Sequence, residues 1–248
     1  MTTWIYTFTS IFIISLLSLT GAFTLSLSRD KLSKILQYLV SFAVGSLFGG
    51  AFVHLLPEIF TSTDSIAFSS IHILVGIILF FVLEKFVRWR HCHDVDCQEH
   101  SAHLVPMNLI GDAMHNLIDG LIIGASFLVS IPMGIATSIA VAMHELPQEI
   151  GDFGVLIHGG LTVKRALMFN FLISLTSFLG AAISLVIGEY THGFINALLP
   201  ITAGGFIYIA GSDLIPELHH HTHLRKSAGQ LTFIVLGVII MYVLKMLT

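Results

Sequence analysis

Two short stretches of this chain carry metal-binding side chains where charged groups are rare. One reads Gly111-Asp112-Ala113-Met114-His115-Asn116-Leu117-Ile118-Asp119-Gly120, the other Met143-His144-Glu145-Leu146-Pro147-Gln148-Glu149-Ile150-Gly151-Asp152-Phe153. Residues three or four apart share one face of a helix. His115 and Asp119 therefore form one stripe, with Asp112 a turn earlier and Asn116 beside it; His144, Gln148 and Asp152 form another, with Glu145 and Glu149 as its neighbours. Imidazole nitrogen and carboxylate oxygen suit zinc, manganese or ferrous iron. Neither stretch has a Cys, which weakens the case for copper(I). Pro147 removes a backbone donor one turn after Met143, so a bend is expected there, with room for a metal ion and water.

Both stretches lie inside long apolar segments. An ionised side chain at bilayer depth costs about 3 kcal/mol or more on insertion scales. Asp112, Asp119, Glu145, Glu149 and Asp152 in two adjacent segments thus call for compensation by protonation, water or a bound cation.

The elements that must position these residues follow from composition. The 248 residues are 55% hydrophobic and only 10% charged, against about 25% charged in a soluble domain. Eight apolar segments are long enough to cross a hydrocarbon core as helices: Trp4–Leu27, Ile35–Phe60, Ile66–Val87, Val105–Val129, Met133–Ile157, Ala166–Ile187, Phe194–Ile215 and Gly229–Leu247. The first has no basic leader and no cleavage motif, so it reads as a retained span rather than a signal peptide. Nine of the eleven Lys and Arg residues fall between spans one and two, three and four, five and six, and seven and eight, and a tenth, Lys85, sits at the end of span three beside one of these connections. The positive-inside rule puts those four connections in the cytoplasm and both termini outside. The expected fold is an all-α integral membrane protein, one transmembrane domain over residues 1–248 with eight helices. No short-period repeat is visible, no basic tract suggests nucleic acid, and Cys92 and Cys97 do not make a disulfide framework.

His115-Asn116-x-x-Asp119-Gly120 and His144-Glu145-Leu146-Pro147-Gln148-Glu149-x-Gly151-Asp152-Phe153 resemble the paired signatures of the ZIP (Zrt/Irt-like) metal transporters, as does Phe52-Val53-His54-Leu55-Leu56-Pro57-Glu58 late in span two. The resemblance covers nearly the whole chain. It implies a helical bundle with spans four and five lining a metal path toward the cytosol. It further implies ligands at His115, Asn116 and Asp119 from span four and at His144 and Glu145 from span five, with His54 on the route. Gln148, Glu149 and Asp152, on the span-five stripes, complete the expected metal-site residues. Gln148 stands where the similar branch has His and other members Glu, and Ser177 stands where some members have Glu. These departures lead to the expectation of one good site and a weak or absent second one.

Two further segments are rich in metal-binding groups. The cytoplasmic connection at 91–103 holds His91, Cys92, His93, Cys97, His100 and His103, and that at 219–223 holds His219, His220, His221 and His223. Neutral imidazoles there bind zinc-like ions reversibly.

The function expected is a secondary transporter, not an enzyme, moving Zn2+ or Fe2+, Mn2+ or Cd2+ as bound substrate across a plasma or bacterial inner membrane without a prosthetic group. Its expected partners are the metal ion and the lipid bilayer, with a homodimer as the candidate assembly. No G-x-x-x-x-G-K-[ST] is present to bind ATP. A metal-binding membrane sensor without transport is the alternative. A metalloprotease is disfavoured because His144-Glu145-Leu146-Pro147-Gln148 lacks the second His of H-E-x-x-H.

Overall fold

With no water in the bilayer, each crossing segment must satisfy its own backbone groups, and the chain does so with helices alone among the described residues. The computed structural model describes residues 1–25, 28–62, 65–89, 101–190, 192–219 and 224–247. Span one is Thr2–Ser15, a 3-10 stretch Leu16–Thr20 and a last turn Gly21–Thr24. Spans three, four, five and eight are single helices, Ile66–Trp89, Ser101–Val129, Ile131–His158 and Leu224–Leu247. Span six is Val163–Ser174 followed by Thr176–Tyr190.

Seven of the spans are long and apolar enough to cross a membrane by length and composition. The eighth, span five, is 28 residues long and carries the polar stretch around Glu145; it is enclosed by spans one, two, four and six. The chain is a multi-pass membrane protein. Ser101 to His103, expected in the connection before span four, instead form its first turn, while residues 90–100 and 220–223 of the His-rich connections lie outside the described residues.

Spans two and seven share an unusual construction. Span two is Arg29–Gly49, a π-helical stretch Gly50–Leu55 and Leu56–Ser62; span seven is His192–Tyr208, a π-helical stretch Ile209–Leu214 and Ile215–Leu218. In both, the residue before a proline sends its N–H five residues back, Leu56 to Ala51 and Ile215 to Ala210. The prolines Pro57 and Pro216 have no N–H to give, so the wider π turn absorbs the missing bond. The match extends to packing. Gly45 of span two lies against the Ile234 carbonyl of span eight, and Gly204 of span seven lies against the Ile73 carbonyl of span three, each too close for a Cβ. Spans two and seven run in opposite senses, so the chain contains an inverted repeat that pairs two with eight and seven with three.

Spans four and five occupy the middle, with two, three, seven and eight on one side and one and six on the other. Lipid-facing apolar side chains fall on spans three and eight, among them Ile71, Leu74, Ile78, Val235 and Ile239.

Candidate metal centre

Helical spacing brings the chemistry of span four to one face, and close packing sets its depth. Gly120, directly after Asp119, lies against the Ser177 carbonyl of span six, and Gly180 lies reciprocally against the Leu117 carbonyl; a Cβ at either position would overlap the oxygen. Such glycine contacts let helix backbones touch. Thr176 reinforces the junction by donating to the Ala113 carbonyl at 2.9 Å. Span five enters with Ser130 as its N-cap, accepting from the Met133 N–H, and stays helical through Pro147.

Where the two helices face each other, His115, Asp119, His144 and Glu145 converge, one donor atom from each lying within 4.8 Å of all the others. His115 Nε2 is 3.1 Å from His144 Nε2, 3.2 Å from Glu145 Oε1 and 3.7 Å from Asp119 Oδ2. His144 Nε2 is 3.3 Å from Asp119 Oδ2 and 3.8 Å from Glu145 Oε1. Ligands at the usual zinc–nitrogen and zinc–oxygen lengths on a tetrahedron are about 3.3 Å apart, so these separations bracket a tetrahedral site. Asp119, His144 and Glu145 are buried, and the His115 side chain keeps 20% exposure.

The hydrogen bonding leaves acceptor atoms of the four residues turned toward one another. His144 Nδ1 donates to the Ala140 carbonyl at 3.3 Å. A carbonyl only accepts, so Nδ1 carries the proton and Nε2 presents its lone pair to the cluster. Both oxygens of Asp119 and Oε1 of Glu145 are buried and receive no hydrogen bond among the described residues. Buried carboxylate oxygens left unpaired are costly. One divalent cation among two carboxylates and two neutral imidazoles would answer Asp119 Oδ2 and Glu145 Oε1 and bring the net charge to zero.

The other expected site residues lie elsewhere. Asn116 Nδ2 donates to Asp112 Oδ1 at 2.7 Å, so this amide faces back along its own helix. Glu149 faces span six, where Asn170 Nδ2 donates to its Oε2 at 2.7 Å. His54, in the π-helical stretch, donates from Nε2 to the Met241 carbonyl of span eight at 2.8 Å. Gln148 and Asp152 line a cavity instead of joining the four. The Ser177 hydroxyl donates to the Ser174 carbonyl of its own helix, and it brings no charge to the centre.

That cavity, about 890 Å³, reaches from His115 and His144 to the ends of spans two, three and seven that adjoin the basic connections. Glu84, Asp112, Asp152, Asp213 and Glu217 line it, and no Lys or Arg does among the described residues. Acidic walls of low dielectric concentrate cations. On the far side of the four residues, the two helices are filled with buried Ile123, Phe127, Met133, Ala136, Ala140 and Val141. The centre is therefore reached from one end of the bundle. Asn170, and the Tyr208 hydroxyl that donates to Glu84 on the cavity wall, were not singled out from the sequence. A polar Asn inside an otherwise apolar span was the available signal for Asn170; nothing local marked Tyr208.

Comparison with known proteins gives a consistent picture. A family model described as "ZIP Zinc transporter" matches residues 1–106 and 90–245. "Zinc transporter YKE4" of Saccharomyces cerevisiae is 31% identical over 86% of this chain and 72% of its own length. "Metal cation symporter ZIP14" of Xenopus tropicalis is 30% identical over 92% of this chain, and "Zinc transporter ZIP10" of Danio rerio 44% identical over 52%. The chain spans 64% of the ZIP14 protein and only 16% of the ZIP10 protein.

Proposed function

Because the chain belongs to the ZIP zinc transporter family, we propose that it moves zinc or a related divalent transition metal across the membrane, with His115, Asp119, His144 and Glu145 as the ligands at mid-path. The observation that carries this reading is the near-tetrahedral N2O2 cluster with unpaired buried carboxylate oxygens. Two imidazoles and two carboxylates bind zinc, ferrous iron or manganese without a thiolate. The charge balance lets the dehydrated ion sit at bilayer depth, where either partner alone would be expensive.

The basic connections at the cavity mouth put that end in the cytoplasm by the positive-inside rule, so this conformation is the inward-open one. In the uptake direction, the ion binds from outside in another conformation and leaves through the acidic cavity. Leaving requires the ligands to loosen, and a proton on either imidazole does this, because a protonated ring has no lone pair for the metal. The far side must open in turn, by separation of the buried apolar residues around Phe127 and Met133. In the same reading Asn116 orients Asp112, Asn170 holds Glu149 as a structural group, and His54 ties span two to span eight.

The test is metal entry into proteoliposomes loaded with a zinc-sensitive dye. His115→Ala and His144→Ala should each reduce zinc flux to near the protein-free leak at equal amounts of folded protein. Wild-type flux in both variants would overturn the ligand assignment; zinc binding without flux in the wild type would favour a sensor.

A further inference from the structure

One helical turn from the four-residue centre, the antiparallel faces of spans four and five continue into a second polar group. Asn108, Asp112, His115 and Asp119 lie along one face of span four, and His144, Gln148, Gly151 and Asp152 along one face of span five. His144 Nε2 lies 3.3 Å from Asp119 Oδ2. The two helices run in opposite senses, so stepping back one or two turns along span four meets stepping forward along span five. This places Asp112 level with Gly151 and Asp152.

All these residues except Asp119 line the acidic cavity. Asp112 is 4% exposed; its Oδ1 accepts from Asn116, and its Oδ2 is buried with no partner. Asp152 Oδ2 and Asn108 Nδ2 are also buried and unpaired. Each of the two acids follows a glycine that lines the cavity, Gly111 and Gly151, and a Cβ at Gly151 would meet no atom within 4 Å. Three orphaned polar atoms around open space need an occupant that polar groups can share.

We propose that Asp112, Asp152 and Asn108 form a second cation station, made of oxygen donors alone, which takes a partly hydrated divalent ion in the cavity. The station rests on the reading of the His/Asp/Glu centre as the tighter site. Two carboxylates, an amide oxygen and water belong to the ligand class of hard cations and of manganese, and they lack the imidazoles that favour zinc. Such a site holds the ion weakly and exchanges it readily. It gives an ion leaving His115 and His144 a place to regain water before the mouth, and a further water answers the Asn108 amide.

The experiment uses the full chain in lipid nanodiscs, loaded with one equivalent of Zn2+ to fill the tighter centre and then titrated with Mn2+. Loss of the free Mn2+ electron paramagnetic resonance signal reports binding. The expected result is one further Mn2+ per chain, weakened at least about tenfold by Asp152→Asn and by Asp112→Asn, with Zn2+ affinity kept in the Asp152→Asn variant. Gly151→Leu leaves every donor in place and fills the space, so it should also remove the Mn2+ and serves where an Asp variant folds poorly. His144→Ala should do the reverse, losing tight Zn2+ binding while retaining Mn2+. Unchanged Mn2+ binding in Asp152→Asn and Gly151→Leu, or none in the wild type, overturns the station. Unchanged Zn2+ binding in His144→Ala overturns the tighter centre instead, and leaves the station to be judged on its own variants.

Discussion

Replacing Glu145 by Gln tests the charge balance of the centre with almost no change of shape. Glu145 is 2% exposed and its Oε1 lies 3.2 Å from His115 Nε2 with no hydrogen-bond partner. With a divalent ion bound, the wild-type centre is neutral; with Gln it carries one positive charge. A net charge at bilayer depth costs about 3 kcal/mol, which corresponds to a zinc Kd weakened about 100-fold. The empty centre changes in the opposite sense, since two facing carboxylates become one. Metal-free Glu145→Gln should therefore unfold no more easily than metal-free wild type, while losing up to about 2.7 kcal/mol of zinc-dependent stabilisation at a fixed zinc concentration. Chelator competition in nanodiscs measures the Kd, and thermal unfolding with and without zinc measures the linked stability. A Kd changed by less than about threefold, under 1 kcal/mol, would refute the argument that neutralisation by these carboxylates holds the ion.

Three further outcomes follow from the packing and protonation of the same helices. Gly120→Ala should drive its Cβ into the Ser177 carbonyl and part spans four and six, lowering stability by about 1–3 kcal/mol, seen as a lower unfolding midpoint and yield. Asn170→Ala removes the 2.7 Å donor to Glu149 Oε2, costing about 1–3 kcal/mol; zinc Kd should stay at the wild-type value because Glu149 stands outside the centre. Zinc affinity should fall as pH drops, since a proton on a coordinating imidazole nitrogen removes the lone pair the metal needs, and calorimetry in buffers of different ionisation enthalpy should detect the linked proton release.

Much of this molecule could be read from the chain alone because lipid leaves few options. Apolar stretches of span length must be helices, and the placement of basic residues between alternate spans kept the count of eight in order. The i, i+3 and i, i+4 spacing within each helix put His115 with Asp119 on a common face. The regular helix period extends that reading along one element and no further.

The angle and depth at which helices meet belong to packing between distant segments. The spacing grouped His144 with Gln148 and Asp152; the approach of span four instead selected His144 with the adjacent Glu145. Glu149 turned to Asn170 and His54 to Met241, partners 21 and 187 residues away. The inverted repeat escaped a search for short periods because its halves share only sparse marks, chiefly the glycines at 45 and 204 and the Pro-Glu pairs at 57 and 216. Sequence alone determined the eight helices and the kinds of donor on each face. Tertiary structure decided which donors meet and from which end an ion reaches them, because backbone contacts such as Gly120 on Ser177 set how the helices cross, and no local periodicity encodes that.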